Sequence, residues 1–310
     1  MSPEAFATFW LAATRFLAYV SAAITMGAAM ELTLALPRWW QDEAHRFAAR
    51  AWTSRLASGL GLVGAVALIV ANAGRLAAQA YATFGTDEPL RWEHARIIVF
   101  ETAWGRGWIV QMASAAFATL AALWFRWRPR PGLQLIALVP IVVAAGLPLT
   151  GHAVASAREW LVVPVQIGHV FGVGLWLGRL VVVLSIVASL LNDRSRFAEA
   201  AALLRAFSPH ALTGAALIVA SGVTTGALYV GSVPALWESA YGRALSLKVL
   251  LFVGVAGCGA YNWRRVTPSL AQGRSTPARV RRAIAVELVL AALALAVTAV
   301  LTGLEKPGEG

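Results

Sequence analysis

LVVPVQIGHVFGVGLWLGRLVVVLSIVASL (residues 161–190) runs for thirty residues with only two ionisable side chains, His169 and Arg179. About 20 mainly apolar residues suffice for a helix to cross the hydrocarbon of a bilayer, so this segment reads as a transmembrane helix. Working outward, the same criterion finds seven more candidate spans, at 8–34, 55–80, 107–125, 133–152, 208–231, 243–262 and 282–303. The expected fold is therefore all-α, a polytopic membrane protein of eight helices. Composition agrees. Of 310 residues, 59% are hydrophobic and 13% charged, with a mean hydropathy of +0.67, whereas soluble domains carry roughly 25% charged residues. The N-terminal apolar stretch is longer than a signal peptide and lacks a basic leader, so it is expected to be a retained first helix.

The formal charge of +11 would suggest nucleic acid in a soluble chain. Here the arginines lie in short runs between apolar stretches, which is the positive-inside pattern rather than a nucleic-acid surface. Arg38, Arg46 and Arg50 follow the first span, and Arg126, Arg128 and Arg130 the third. Arg194, Arg196 and Arg205 follow the fifth span, and Arg264, Arg265, Arg274, Arg279 and Arg281 the seventh. The alternate loops hold the acids Asp87, Glu88, Glu93, Glu101, Glu159 and Glu238. The basic loops are thus expected in the cytoplasm and both termini in the periplasm, with tryptophans such as Trp104, Trp127, Trp160 and Trp263 at span ends.

The chain also repeats itself. Arg50-Ala51-Trp52-Thr53 and Arg205-Ala206-Phe207-Ser208 open the second and sixth spans. ETAWGRGWIVQ (101–111) and ESAYGRALSLK (238–248) open the third and seventh, and Thr150-Gly151 and Thr302-Gly303 close the fourth and eighth. Two four-helix repeats are expected, 1–152 and 153–310. An even number of helices per half makes them parallel, an arrangement known among transporters.

Ionisable residues inside spans are costly and usually pair or mark a pathway. Arg15, Glu31, Arg75, Arg106, Arg179 and Arg243 lie near enough to span ends to snorkel to the headgroups, and Glu101 and Glu238 read as first-turn residues of the third and seventh spans. Lys248 and Glu287 lie deeper, with counterparts Gln111 and about Leu135 in the first half, and are expected to form an ion pair or a proton or ion relay.

Of the five histidines, His45, His94 and His210 read as solvated or interfacial. His152 closes the fourth span and His169 lies about two turns into the fifth, both on the outer side and joined by a short connection. Each exists only once, since the repeat places Leu304 and about Ala18 opposite them. Neutral imidazole ligates copper, and the Met112 thioether at similar depth suits Cu(I). Met26 and Met30 share a helix face nearer the cytoplasm and read as packing. Cys258 is the only cysteine, so no disulfide or cysteine-built zinc site exists within the chain.

These residues resemble the copper resistance protein D family. The likeness is carried by GHAVASAREWLVVPVQIGHVFGVGLWLGRL (151–180), RAFSPHAL (205–212), SAYGRALSLK (239–248) and the Asn262–Arg264 exit. The chain departs from the common W-G-G pattern, because Leu177 and Arg179 flank Gly178. The resemblance implies a bacterial inner-membrane protein that handles copper beside a periplasmic copper chaperone, with His152 and His169 as ligands. It marks Trp176, Gly178, Tyr241, Gly242, Arg243, Lys248, Asn262 and Glu287 as family-type positions.

The leading functional expectation is passage of a copper ion, Cu(I) or Cu(II), across the inner membrane, inward by preference. The sequence carries no P-loop or other nucleotide motif, and the role is transport or handling rather than catalysis. Two other classes stand beside it: a haem b electron carrier using the same histidines, and a non-transporting copper sensor or assembly partner. The bilayer is the one certain partner, nucleic acid is not one, and oligomeric state leaves no sequence signal.

Overall fold

Long apolar runs must satisfy their backbone groups internally in lipid, and the helix does so within one segment. The structure, a computed structural model, describes residues 3–35, 47–85, 91–150 and 159–307. Among these residues there is no strand, and eight helices are long and apolar enough to cross a membrane. They are Ala5–Leu34, Trp52–Phe84, Ala103–Trp127, Pro129–Thr150, Glu159–Leu190, Arg194–Val230, Ala240–Ala271 and Pro277–Leu301. The protein is thus an all-α polytopic membrane protein, as the apolar runs predict. The sixth span extends furthest beyond its sequence boundary, because its helix continues through Pro209. Trp92, Trp127, Trp160, Trp237 and Trp263 are exposed near span ends, where amphipathic rings prefer to lie.

Local chemistry sets where the helices begin and stop. Thr102, Ser239 and Thr276 accept backbone N–H bonds from Gly105, Gly242 and Arg279, capping the third, seventh and eighth spans. The second and sixth spans stop at Gly85 and Gly231, whose positive φ of 94° and 71° suits glycine. Between the fifth and sixth spans, Asp193 accepts from the backbone N–H and hydroxyl of Ser195. These bonds hold its carboxyl below the usual carboxylate range.

The first span is central. It packs on the second, fourth, fifth and eighth spans, while the fifth packs on the first, fourth and sixth. The third span packs on the second and fourth, and the seventh on the eighth. Small side chains permit this crowding: Ala18, Ala22, Ala28 and Ala29 of the first span join Leu180, Val183 and Ile186 of the fifth in one core. At the crossing, a Cβ on Gly27 would overlap the Gly178 carbonyl, and one on Gly178 would overlap the Ala23 carbonyl. The two backbones are in contact, and no larger residue fits.

One turn beyond that crossing lies a buried ion pair. Arg179 donates from Nε and Nη2 to Glu31 Oε2 at 3.0 and 2.8 Å, with both side chains 0% exposed. The Arg179 guanidinium also sits 5.6 Å from the Phe207 ring centre, tying in the sixth span. The snorkelling expectation for Glu31 and Arg179 therefore fails. Both side chains turn inward because each compensates the other's charge at that depth.

Removing one member of such a pair strands a buried charge, at a cost of about 3–5 kcal/mol. Arg179→Met should therefore sharply lower the melting temperature in detergent, and Arg179→Met with Glu31→Gln should recover much of the loss. A double variant as unstable as the sum of both singles would show that the pair is not the cause.

Candidate metal site on the arginine-poor face

His169 lies ten residues into the fifth span, on the face turned to the sixth. Its Nδ1 lies 2.9 Å from Ser221 Oγ, and its Cε1 faces Gly222, where the lack of a side chain leaves room for the ring. The Ser221 hydroxyl proton is already committed, since Oγ donates to the Leu217 carbonyl at 2.5 Å and approaches that of Ile218 at 3.2 Å. With its own proton on the Leu217 carbonyl, Ser221 Oγ can accept from a His169 protonated on Nδ1, the tautomer whose Nε2 lone pair suits a metal. The Lys248 ammonium of the seventh span is close enough to act electrostatically on this ring.

His152 lies outside the described residues. Met112 is half-buried in the third span, whose principal neighbours are the second and fourth. The structure does not bring it to His169, because the fourth span stands between the third and the fifth. Among the described residues no group of three or more His, Cys, Asp or Glu side chains could hold a metal ion. The donor set within reach is one neutral imidazole nitrogen, which fits copper as one ligand of several.

Lys248 and Glu287 do not meet. Asn262 Nδ2 donates to Glu287 Oε2 at 2.7 Å, and Glu287 Oε1 lies beside Gly259. Those seventh-span residues lie 11 to 14 positions beyond Lys248, or about 17–21 Å along a helix rising 1.5 Å per residue. Counting depth from the span ends underestimated the separation because the seventh helix continues to Ala271. Glu287, only 3% exposed, is solvated by an amide instead of a cation.

The first half carries a polar cluster at the depth matching Lys248. Arg75 donates to Gln111 Oε1 at 2.5 Å and to Thr150 Oγ1 at 2.8 Å. Gln111 in turn donates to Thr150 Oγ1 at 2.8 Å and to the Leu147 carbonyl at 3.0 Å. Trp104 lies under the guanidinium, 5.9 Å from its centre. Arg75 therefore does not snorkel; it is 5% exposed and held by three spans. Gln111 and Thr150 are both repeat positions, and their polarity in apolar runs was the signal that Arg75 had partners.

The family-type positions prove largely architectural. Trp176 packs edge-on against Phe252 with centroids 5.2 Å apart, joining the fifth and seventh spans. A Cβ on Gly242 would overlap the Ala235 carbonyl, so glycine lets the seventh span start against the short helix Ala235–Glu238. Tyr241 is buried in that corner. Arg243 is exposed and reaches back past the start of its span, its Nη1 donating to the Trp237 and Glu238 carbonyls at 3.1 and 3.0 Å. Glu238 ends that short helix and Glu101 ends its counterpart Trp92–Glu101, so neither is a first-turn residue of a span.

An eight-helix membrane bundle with a ligand-ready histidine on its arginine-poor side is the class that this geometry defines. The copper resistance protein D-like N-terminal domain profile matches residues 6–160, and the copper resistance protein D profile matches residues 201–301. The chain belongs to the copper resistance protein D family. It is 30% identical to copper resistance protein D of Pseudomonas syringae pv. tomato over 219 residues, covering 66% of this chain and 70% of that protein. It is 25% identical to copper transport protein CutJ of Bacillus subtilis (strain 168) over 275 residues, covering 87% of this chain. The match spans about half of the Bacillus protein, 49% of its length. No solved structure matches the chain.

The geometry around Glu287 makes a direct prediction. Asn262→Ala removes the donor to a buried carboxylate and should destabilise the protein by about 1–3 kcal/mol. Lys248→Met and Glu287→Gln should instead combine additively, within about 0.5 kcal/mol, as distant sites do. A strong coupling between the latter two in thermal melts would contradict the separation.

Proposed function

We propose that the protein passes copper ions across the bacterial inner membrane, inward by preference, through a site of which His169 is one ligand. The observation that supports this most is the 2.9 Å contact between His169 Nδ1 and Ser221 Oγ, which favours the tautomer with Nε2 available for a metal. His152, at the end of the preceding span, is the proposed second nitrogen, and water, a backbone group or a partner protein would complete the shell. The Lys248 charge beside His169 argues for a relay over a storage site. A neighbouring cation weakens retention, and conduction needs binding weak enough to release. Copper is here the cargo, as Cu(I) or Cu(II).

In this reading the arginine-rich loops face the cytoplasm, so His169 opens toward the periplasm, where a copper chaperone delivers the ion. The paired caps at Thr102 and Ser239, each before a glycine that packs on a short preceding helix, support two parallel four-helix repeats. Family membership and the names of the two relatives support copper as the ion.

Two measurements test the proposal. A periplasm-dependent reporter should be active after Gly310 and silent after Gln272; the reverse pattern would place His169 on the cytoplasmic side. Purified wild type should bind copper, whereas His169→Ala and His152→Ala should lose it with unchanged elution. Ser221→Ala should weaken binding by about 10–100-fold, as loss of a supporting hydrogen bond does. Stoichiometric copper of wild-type affinity in His169→Ala, or a Soret band in the wild type, would overturn the assignment.

A further inference from the structure

On the arginine-rich face, an open cleft of about 470 Å³ lies along the seam of the seventh and eighth spans. The proposed copper route does not use it. Its chemistry changes with depth. At its mouth stand Arg279 and Arg282, both exposed and within the first six residues of the eighth span, beside Tyr261 and Asn262. Deeper, it is lined by Gly254, Gly257, Ala283 and Val286, whose small or apolar surfaces leave a groove along the seam. A side chain at Gly254 would touch Leu290, so the helices meet at that level. From Arg279 to Val286 the lining runs seven residues, or about 10 Å of helix.

Among the described residues no carboxylate pairs with the arginines at the mouth. Between Glu238 and Glu287 the sequence contains no acidic residue, and Glu287 is buried against Asn262. Arg279 donates to the Tyr261 hydroxyl at 3.0 Å. Arg282 makes no hydrogen bond or ion pair among the described residues. The N-terminal end of the eighth span's dipole adds positive potential at the same place. A copper cation is repelled by this entrance, whereas a phosphate is attracted. An acyl chain fits the apolar part behind it.

We propose that this cleft binds one anionic phospholipid, with its phosphate at Arg279 and Arg282 and an acyl chain lying between the seventh and eighth spans. Basic pockets between transmembrane helices recognise anionic headgroups by this combination of charge and depth. Free phosphate shares the headgroup chemistry but lacks the chain that the apolar wall accommodates.

Cys258 provides the readout, because it is the only cysteine and lines the cleft. The full chain is reconstituted in phosphatidylcholine vesicles with or without phosphatidylglycerol, and the rate of Cys258 modification by a maleimide is measured. Phosphatidylglycerol should slow modification several-fold, and native mass spectrometry should find the lipid retained on the protein. Arg279→Gln with Arg282→Gln should abolish both effects. If that variant fails to fold, Arg282→Gln alone decides, since Arg282 has no partner among the described residues to lose. Inorganic phosphate added to phosphatidylcholine vesicles should give no protection. Equal rates in the two lipids, protection surviving in the variants, or protection by phosphate alone would each overturn the proposal.

Discussion

The arrangement depends on how the first span meets the fifth. Two glycines bring the backbones into contact at Gly27 and Gly178, and the Glu31–Arg179 pair locks the helices just beyond. Neither feature is stable without the other. A buried charge pair is favourable only when its geometry is held closely, and a glycine crossing holds it. The glycine crossing by itself supplies only packing in lipid, where no hydrophobic force favours helix association. Because the first span also touches the second, fourth and eighth spans, fixing this crossing positions most of the bundle. The fifth span then carries His169 on its other end, so the same helix bears both the lock and the candidate ligand.

Eight spans were legible because each is an uninterrupted apolar run, a signal that needs no knowledge of neighbours. Charged residues inside the spans were not legible in the same way. Arg179, Glu31 and Arg75 lie close enough to span ends that reach alone allows them to snorkel. Whether they turn outward or inward depends on which helix stands beside them, and that is tertiary information. The Lys248–Glu287 expectation failed for a related reason: depth counted from span ends assumes where the helix stops, and the seventh continues well past Asn262. Family-type residues were located correctly by pattern, but their roles differ. Gly242 and Arg243 build a helix corner and Trp176 bridges two spans, whereas the Ser221 partner of His169 carried no motif at all.

Three π-helical turns, Glu31–Ala35, Gly174–Gly178 and Asn262–Val266, mark where the polar interior is built. Each adds a residue to the local helix and rotates the next turn about the axis, and such turns concentrate at functional sites. The first contains Glu31, the second ends immediately before Arg179, and the third begins at Asn262, the partner of Glu287. A regular helix would present these side chains at a different angle. Their place at both the Glu31–Arg179 and the Asn262–Glu287 contacts gives the turns a physical purpose, which is to aim a costly side chain at its partner.

Gln111 and Lys248, which the sequence motifs align, meet different surroundings in the structure. In the first half, Gln111 accepts from Arg75 and donates to Thr150 and Leu147, so both ends of its amide are used within the protein. At the matching position of the second half stands Lys248, with His169 and Ser221 across from it. There His169 Nδ1 bonds Ser221 Oγ, and Ser221 donates in turn to the Leu217 carbonyl. A closed network stabilises a fold and has nothing left to offer a passing ion. An open one leaves a lone pair beside a positive charge, an arrangement of little use to stability. The polar cluster of Arg75, Gln111 and Thr150 is thus held by bonds among three side chains, whereas the one at His169 has only Ser221 as its side-chain partner.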